Sequence, residues 1–205
     1  MKLVIASSNK GKLAEFEQLL ADTGWECIPQ SHLGVTDADE TGLTFIENAI
    51  LKARHASAIT GLPAIADDSG LCVAALGNQP GLYSARFAGE HGNAQANMDK
   101  LRGLLRSLPE DTSREAFFIS AIALVMHADD PAPIVVEGRW YGEVIDDQRG
   151  SGGFGYDPMF VDPNFGLTAA EIEPNVKNSI SHRGRAMRAL HARLMPSSRQ
   201  LIAES

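Results

Sequence analysis

The sequence predicts an α/β protein, and three observations carry the prediction. Short apolar runs of strand character, Leu3 to Ala6 and Leu62 to Ala66, are separated by segments whose apolar residues recur at helical spacing. Those segments carry their own start and stop signals. Thr44-Phe45-Ile46-Glu47 matches a capping box, and Gly61 and Pro109 stand where the apolar stripes end. Two longer β-rich runs, Phe117 to Val125 and Ile134 to Glu137, occupy the second half and are joined through Asp129-Asp130-Pro131.

In chain order, Leu3 to Ala6 is a buried strand, and Ser7-Ser8-Asn9-Lys10-Gly11-Lys12 is a polar turn. A helix follows with Leu13, Phe16, Leu19 and Leu20 on one face and ends at Thr23-Gly24. Strand, polar turn and helix in this order set helix N-terminal amides beside a hydroxyl and a lysine, which suits a phosphate. The spacing is not that of a Walker A loop, and the same residues also read as a capped helix start with a solvated lysine. Trp25 to Pro29 is a short strand. His32 to Gly42 is irregular and acidic, with Asp37, Asp39 and Glu40. The helix opened by Thr44 runs to Thr60 with Ile46, Ala49, Ile50 and Ala53 as its apolar stripe. Asn48, Lys52 and His55 share another face, which is expected to be solvated.

Ala64-Ile65-Ala66-Asp67-Asp68-Ser69-Gly70 is the stretch around which the chain is organised. A buried strand runs into two carboxylates, a hydroxyl and a glycine, and a second strand-like run, Leu71 to Leu76, follows. Neighbouring strand side chains point to opposite faces, so Asp67 and Asp68 do different jobs. One aims into a cleft at the strand end and the other holds the turn, with Gly70 allowing a sharp bend or the close approach of a ligand. On these residues alone the stretch also reads as an acidic turn between two strands. Gly77 to Gly81 is rich in turn residues, and a helix from about Asn93 to Leu108 buries Leu101, Leu104, Leu105 and Leu108. Trp140 to Ile145 continues extended structure. Gly150 to Pro158 is a loop with glycines that let backbone approach a ligand closely. Within it, Phe154 offers a ring for stacking and Asp157 an acceptor for ring N–H groups. Finally, Ser181 caps a C-terminal helix carrying Met187, Leu190 and Leu194. His182 and Arg183 then stand at its start, where basic residues oppose the helix dipole unless an anion is near.

Composition narrows the function. With 26 acidic against 18 basic residues the net charge is −8, which opposes a broad nucleic-acid-binding face but permits a small anion held by a few converging bases. Cys27 and Cys72 are too few for a disulfide framework, so a reducing compartment is expected. The longest apolar run, Ala116 to Met126, is interrupted by Ser120 and falls short of the roughly 18 residues of a membrane span. Met1 to Ala6 breaks into polar residues too early for a signal peptide. A soluble, cytoplasmic protein of 205 residues, with no nucleic-acid or membrane partner, is expected.

Five segments together, Ser7 to Lys12, Glu40-Thr41-Gly42 with Phe45 to Ala53, Ala66 to Gly70, Phe154 to Asp157 and Ser181-His182-Arg183, occur in the order seen in the inosine triphosphate pyrophosphatase family. The chain resembles that family from Leu3 to about Met195, most of all its bacterial dITP/XTP pyrophosphatases. The resemblance implies one two-lobed domain over residues 1–205, with a long mixed central sheet flanked by helices and the active site in the cleft between the lobes. It implies Mg²⁺-dependent hydrolysis of ITP, dITP and XTP to the monophosphate and pyrophosphate, by a homodimer. Ser7, Ser8, Asn9, Lys10, Gly11 and Lys12 then bind phosphates, with Lys52 and Lys177. Glu40 and Asp68 hold the metal, Asp68 also serves as general base, and Ser69 touches substrate. Phe154, Gly155, Tyr156 and Asp157, with His182 and Arg183, form the base pocket. The chain departs from the family at Gly77-Asn78, where two glycines are common, and at Asn175-Val176, where acidic residues are common.

Two other readings compete. A nucleotide-binding regulator without turnover has no need of Glu40, Asp68 and the lysines together. A pyrophosphatase for modified pyrimidine triphosphates, of the septum-formation type, usually has an arginine pair after the first serine, where this chain has Asn9 and Lys12. It also lacks the Ser-His-Arg segment.

Overall fold

The computed structural model describes residues 1–194, apart from the side chains of Lys10, Leu19 and Asp22. Among the described residues, eight strands form one mixed sheet: β1 (Lys2–Ile5), β2 (Glu26–Pro29), β3 (Ala64–Val73), β4 (Gln79–Pro80), β5 (Glu115–Val125), β6 (Ile134–Val144), β7 (Phe160–Asp162) and β8 (Leu167–Thr168). The order is β2-β1-β3-β5-β6-β7-β8, with β4 paired to β3. β1 runs parallel to β2 and β3, whereas β7 is antiparallel to β6 and β8. The helices are α1 (Lys10–Leu20), α2 (Phe45–Thr60), α3 (Ala94–Ser107), α4 (Pro174–Ile180) and α5 (His182–Leu194). None is long and apolar enough to cross a membrane. The chain divides into two compact units. The first takes Met1–Asp68, Ser120–Gly138 and the chain from Arg185, and the second takes Ser69–Ile119 and Arg139–Gly184.

In the first unit, strand alternation sorts the core. Leu3, Ile5 and Ile65 point to one face and meet Phe16 and Leu20 of α1 and Ala186, Met187 and Leu190 of α5. Val4, Ala6, Ala64 and Ala66 point to the other and meet Ala53 and Ala56 of α2. A parallel sheet covered on both faces requires such unbroken apolar strands. Each large side chain buried here contributes about 2 kcal/mol over an exposed one. α1 begins at Lys10, within the stretch expected as a turn, because Asn9 Oδ1 accepts the Gly11 and Lys12 N–H groups at 2.9 and 3.2 Å. α2 begins as expected: Thr44 Oγ1 accepts the Glu47 N–H at 3.1 Å, and Gly61 caps its end.

The second unit is aromatic. Phe118, Trp140 and Phe160 pack against one another with centroids 4.7 to 6.3 Å apart, beside Leu101 and Leu105 of α3 and Leu71 and Val73 of β3. Trp140 Nε1 donates to Asp162 Oδ2 at 2.6 Å, which satisfies its buried polar end.

Several expectations are corrected. Ala64–Val73 is one continuous strand, so Asp67 and Asp68 lie inside β3 and not in a turn. Each finds a partner on its own face, and Gly70 makes no bend there. Beyond Val73 the chain leaves the strand as a 3₁₀ turn, Ala74–Leu76, closed by Gly77. Asn78, where relatives commonly have a second glycine, takes a left-handed φ of 64°, which asparagine tolerates. Ile134–Val144 is one strand, not two extended pieces. On α2 the buried face is Asn48, Ala49, Ala53, Ala56 and Ser57, whereas Ile46 is exposed.

Candidate active site

Alternation in β3 decides the chemistry of the first unit. Asp67 falls on the Ile65 face and therefore meets α1, where its carboxylate pairs with the Lys12 ammonium. Its Oδ2 also accepts the Ser120 hydroxyl at 3.2 Å. Asp68 falls on the Ala66 face and meets α2. Its Oδ1 is 2.7 Å from Lys52 Nζ, and its Oδ2 accepts from Asn48 Nδ2 at 3.3 Å. The same Lys52 ammonium lies 3.0 Å from Glu40 Oε1, so one cation is shared by two carboxylates. Burial pushes the Asp68 carboxyl above the ordinary range. The Lys52 ammonium pulls it back, but Glu40 and Asp67 push it up again. Burial works against charge on Lys52 too, yet Asp68, Asp67 and Glu40 outweigh it and hold the ammonium protonated above its usual range.

The start of α1 has the polarity an anion prefers, since its first turn carries no acidic residue. Ser7 Oγ accepts the Asn9 N–H at 3.2 Å, and Ser8 Oγ donates to Asp37 Oδ2 at 3.1 Å. The Lys10 side chain lies outside the described residues. Asp37, which is also fixed by Gln30 Nε2, was not singled out from sequence. It stands in an irregular acidic run with no periodicity to mark it.

The second unit gathers the other predicted residues. Phe154 is 53% exposed, and both Lys177 Nζ and Arg183 Cζ lie 5.5 Å from its ring centroid. Asp157 Oδ2 accepts the Phe154 N–H at 2.7 Å and Lys177 Nζ at 2.5 Å. Gly153 is required for this knot: a Cβ there would sit 2.0 Å from Asp157 Oδ2, at a φ of +71°. Gly155 is left-handed as well. Arg183 Nη2 donates to Ser69 Oγ at 3.4 Å. His182 stacks on Phe118, with centroids 4.9 Å apart and planes 17° apart. Ser181 Oγ accepts the Gly184 N–H at 3.2 Å, the expected cap of α5. Tyr156 is buried and its hydroxyl donates to Ser84 O at 2.9 Å, so it anchors the loop from within the core. Burial also holds its phenol well above the usual range. Lys177, grouped by sequence with Lys12 and Lys52, is here the partner of Asp157. It sits on α4, a helix of seven residues too short to announce itself by period.

The face of α2 expected to be solvated supplies Lys52 and Asn48 to Asp68. The signal was present in the four-residue spacing of those two side chains, but polarity alone read as exposure. Glu40 and Asp68 offer carboxylate oxygens around one cation position. Among the described residues no group of three or more His, Cys, Asp or Glu is gathered. Two carboxylates at one cation position are compatible with a metal cofactor that takes its remaining ligands from water and substrate.

A comparison with known proteins adds the lineage. The "dITP/XTP pyrophosphatase" of Photorhabdus laumondii is 53% identical over 189 residues, covering 92% of this chain and 95% of the relative. That of Burkholderia pseudomallei is 52% identical over 193 residues, covering 94% and 93%. The solved structure of a HAM1 protein from Coxiella burnetii superposes with a TM-score of 0.90 at 47% identity, covering 95% of this chain and 98% of that one. The family model described as the Ham1 family matches residues 3–193, and the chain belongs to that family.

Proposed function

We infer that the chain is a nucleoside triphosphate pyrophosphatase that hydrolyses the non-standard purine nucleotides ITP, dITP and XTP to monophosphate and pyrophosphate. The names of its relatives support the activity. The observation that carries the chemistry is the Lys52 ammonium shared by Glu40 and Asp68 at 3.0 and 2.7 Å. It marks a position where two carboxylates already tolerate and stabilise a cation.

Glu40 and Asp68 would hold Mg²⁺. When bound, it would supply a Lewis acid for the phosphate oxygens and acidify a water. Lys12 and Lys52 offset the charge of the polyphosphate, which a chain of net charge −8 otherwise repels. The amides of the first turn of α1 and the Ser7 and Ser8 hydroxyls hold its oxygens. Asp68 takes the proton of the attacking water, whose oxygen bonds to the α-phosphorus as the bridge to the β-phosphate breaks. In the second unit, Phe154 stacks on the purine, and Ser69 and Arg183 contact the nucleotide. The Asp157–Lys177 knot fixes the Phe154 backbone. His182 keeps the start of α5 in place through Phe118.

The working form we infer is a cytoplasmic homodimer. Free thiols at Cys27 and Cys72 are consistent with a reducing compartment, and light scattering reports the oligomer. The activity is tested by one substrate panel with Mg²⁺, covering ITP, dITP, XTP, the common triphosphates and a modified pyrimidine triphosphate. Pyrophosphate release concentrated on the first three is expected, with isotopic label from water appearing in the monophosphate. Release of orthophosphate and a diphosphate, or preference for the pyrimidine, refutes the reading.

A further inference from the structure

Asn48 is, with Ser57, one of the two polar residues on the α2 core face, and the reaction leaves it without a role. It is 1% exposed and flanked by alanines that pack against the sheet. Burying an amide there is costly unless both its ends are bonded. Both are: Nδ2 donates to Asp68 Oδ2 at 3.3 Å, and Oδ1 accepts the Gly42 N–H at 2.8 Å. Gly42 is pressed so closely that an added Cβ would lie 2.6 Å from Glu47 Cβ and 2.8 Å from Asn48 Oδ1. Two residues before Gly42 stands Glu40. One side chain thus ties the loop carrying one carboxylate to the strand carrying the other. Only a side chain with a donor and an acceptor at this reach satisfies both partners. A carboxylate lacks the donor, and an apolar residue strands the Gly42 N–H.

We propose that Asn48 is a positioning residue that sets Glu40 and Asp68 in register for the divalent cation. The inference rests on the reading of those two carboxylates as its ligands. Partners that orient ligating groups from outside typically account for about 10- to 100-fold in metal affinity or activity.

The test compares wild type, Asn48→Ala and Asn48→Asp by calorimetric Mn²⁺ titration of the free proteins, with thermal unfolding alongside. Kinetics with ITP and saturating Mg²⁺ follow. Folded Asn48→Ala is expected to bind Mn²⁺ about tenfold more weakly. Its kcat should fall by a similar factor, while KM for ITP changes less than about threefold. A residue that merely stapled helix to loop would lower the melting temperature and leave Mn²⁺ affinity intact, and that result overturns the proposal. Where Asn48→Ala does not fold, Asn48→Asp decides. It keeps the volume and the acceptor for Gly42, loses the donor, and adds a charge that by itself strengthens cation binding. Weaker Mn²⁺ binding by Asn48→Asp supports the proposal, and equal or tighter binding overturns it. Wild type that cleaves ITP but binds no Mn²⁺ refutes the metal reading itself, and the inference falls with it.

Discussion

In the first unit, Glu40, Asp67 and Asp68 share two ammonium groups, Lys12 and Lys52, packed against α1 and α2. In the second, a half-exposed ring, Phe154, stands between Lys177 and Arg183. The first cluster is built of groups whose interactions depend on charge and low dielectric. The second combines a flat apolar face with hydrogen-bond donors. On the proposed function, charge handling and proton transfer would fall to the first, and recognition of a ring to the second. If that division holds, substitutions in the first unit act on kcat, and those in the second act on KM and on the choice among bases.

The largest effect is expected at Asp68. On the roles proposed for it, Asp68→Asn should lower kcat by on the order of 10³-fold, since a proton acceptor and a cation ligand would be lost together. The fold should survive. Asp68 has a raised carboxyl pKa, so it favours the folded state below the unfolded pKa, and that contribution is lost as pH rises through the folded value. Near neutrality and without metal, its charge therefore weighs against folding. Asp68→Asn should then melt no lower than wild type at neutral pH, and any advantage should shrink at a lower pH as Asp68 takes up its proton. Calorimetric scans of both proteins at the two pH values check this. A lower melting temperature at neutral pH would show that pairing with Lys52 outweighs burial.

Asp67 should behave in the opposite way, although it is the next residue. Its side chain is fully buried and pairs with the largely buried Lys12, so Asp67→Asn removes a buried counter-charge of that ammonium. A loss of about 3 kcal/mol in denaturant unfolding is expected, with a smaller loss of turnover through Lys12. Equal stability of the two variants would break the distinction between the faces of β3.

How much of this was legible beforehand follows from the same geometry. Period-2 alternation alone separates the roles of Asp67 and Asp68, and it needs only the knowledge that β3 is a strand. The continuity of β3 through Ser69 and Gly70 was hidden, because carboxylate, hydroxyl and glycine are also turn chemistry. Only the helices on both faces show why none is needed. The capping residue Thr44 located the start of α2 from sequence, since its bond is local, and Pro109 marked the end of α3. Asn48 was not legible as a buried group, because an amphipathic reading assigns polar residues to solvent. Its burial depends on a loop and a strand 6 and 20 residues away. The partners of Asp157 were hidden for a similar reason. Its free-looking carboxylate takes the Phe154 N–H and Lys177, and the lysine lies 20 residues on.

In the second unit, Phe154→Ala is expected to raise KM for ITP, dITP and XTP alike by up to about tenfold, the worth of one aromatic stacking contact. kcat should change little. A matching fall in kcat with KM unchanged would instead tie Phe154 to the reacting phosphate and dissolve the division of labour.

The smallest effect is the most specific, and it concerns Arg183. Hypoxanthine and xanthine present an acceptor at the 6-oxo group and a protonated N1. Adenine presents a donor at its 6-amino group and an unprotonated N1. A guanidinium is all donors. Arg183 is only 5% exposed and held beside Ser69 Oγ and the Phe154 ring; in the proposed base pocket it would pair with a 6-oxo group and meet adenine donor to donor. Buried mispairing of this kind can separate substrates by as much as about 10⁴-fold. Backbone amides of the loop share that work, so removing one side chain should recover only part of it. Guanine also has a 6-oxo group, and its exclusion must come from the polarity around its 2-amino group, because xanthine carries an oxygen of similar size there. Arg183→Ala should therefore narrow the ratio of ITP to ATP turnover by roughly tenfold or less and leave the ratio of ITP to GTP nearly unchanged. Arg183→Lys, which keeps the charge but loses the planar fork, should fall between the two. Should Arg183→Ala reduce ITP and ATP turnover by one common factor, Arg183 serves the phosphates or the fold, and base selection belongs to the backbone of the loop alone.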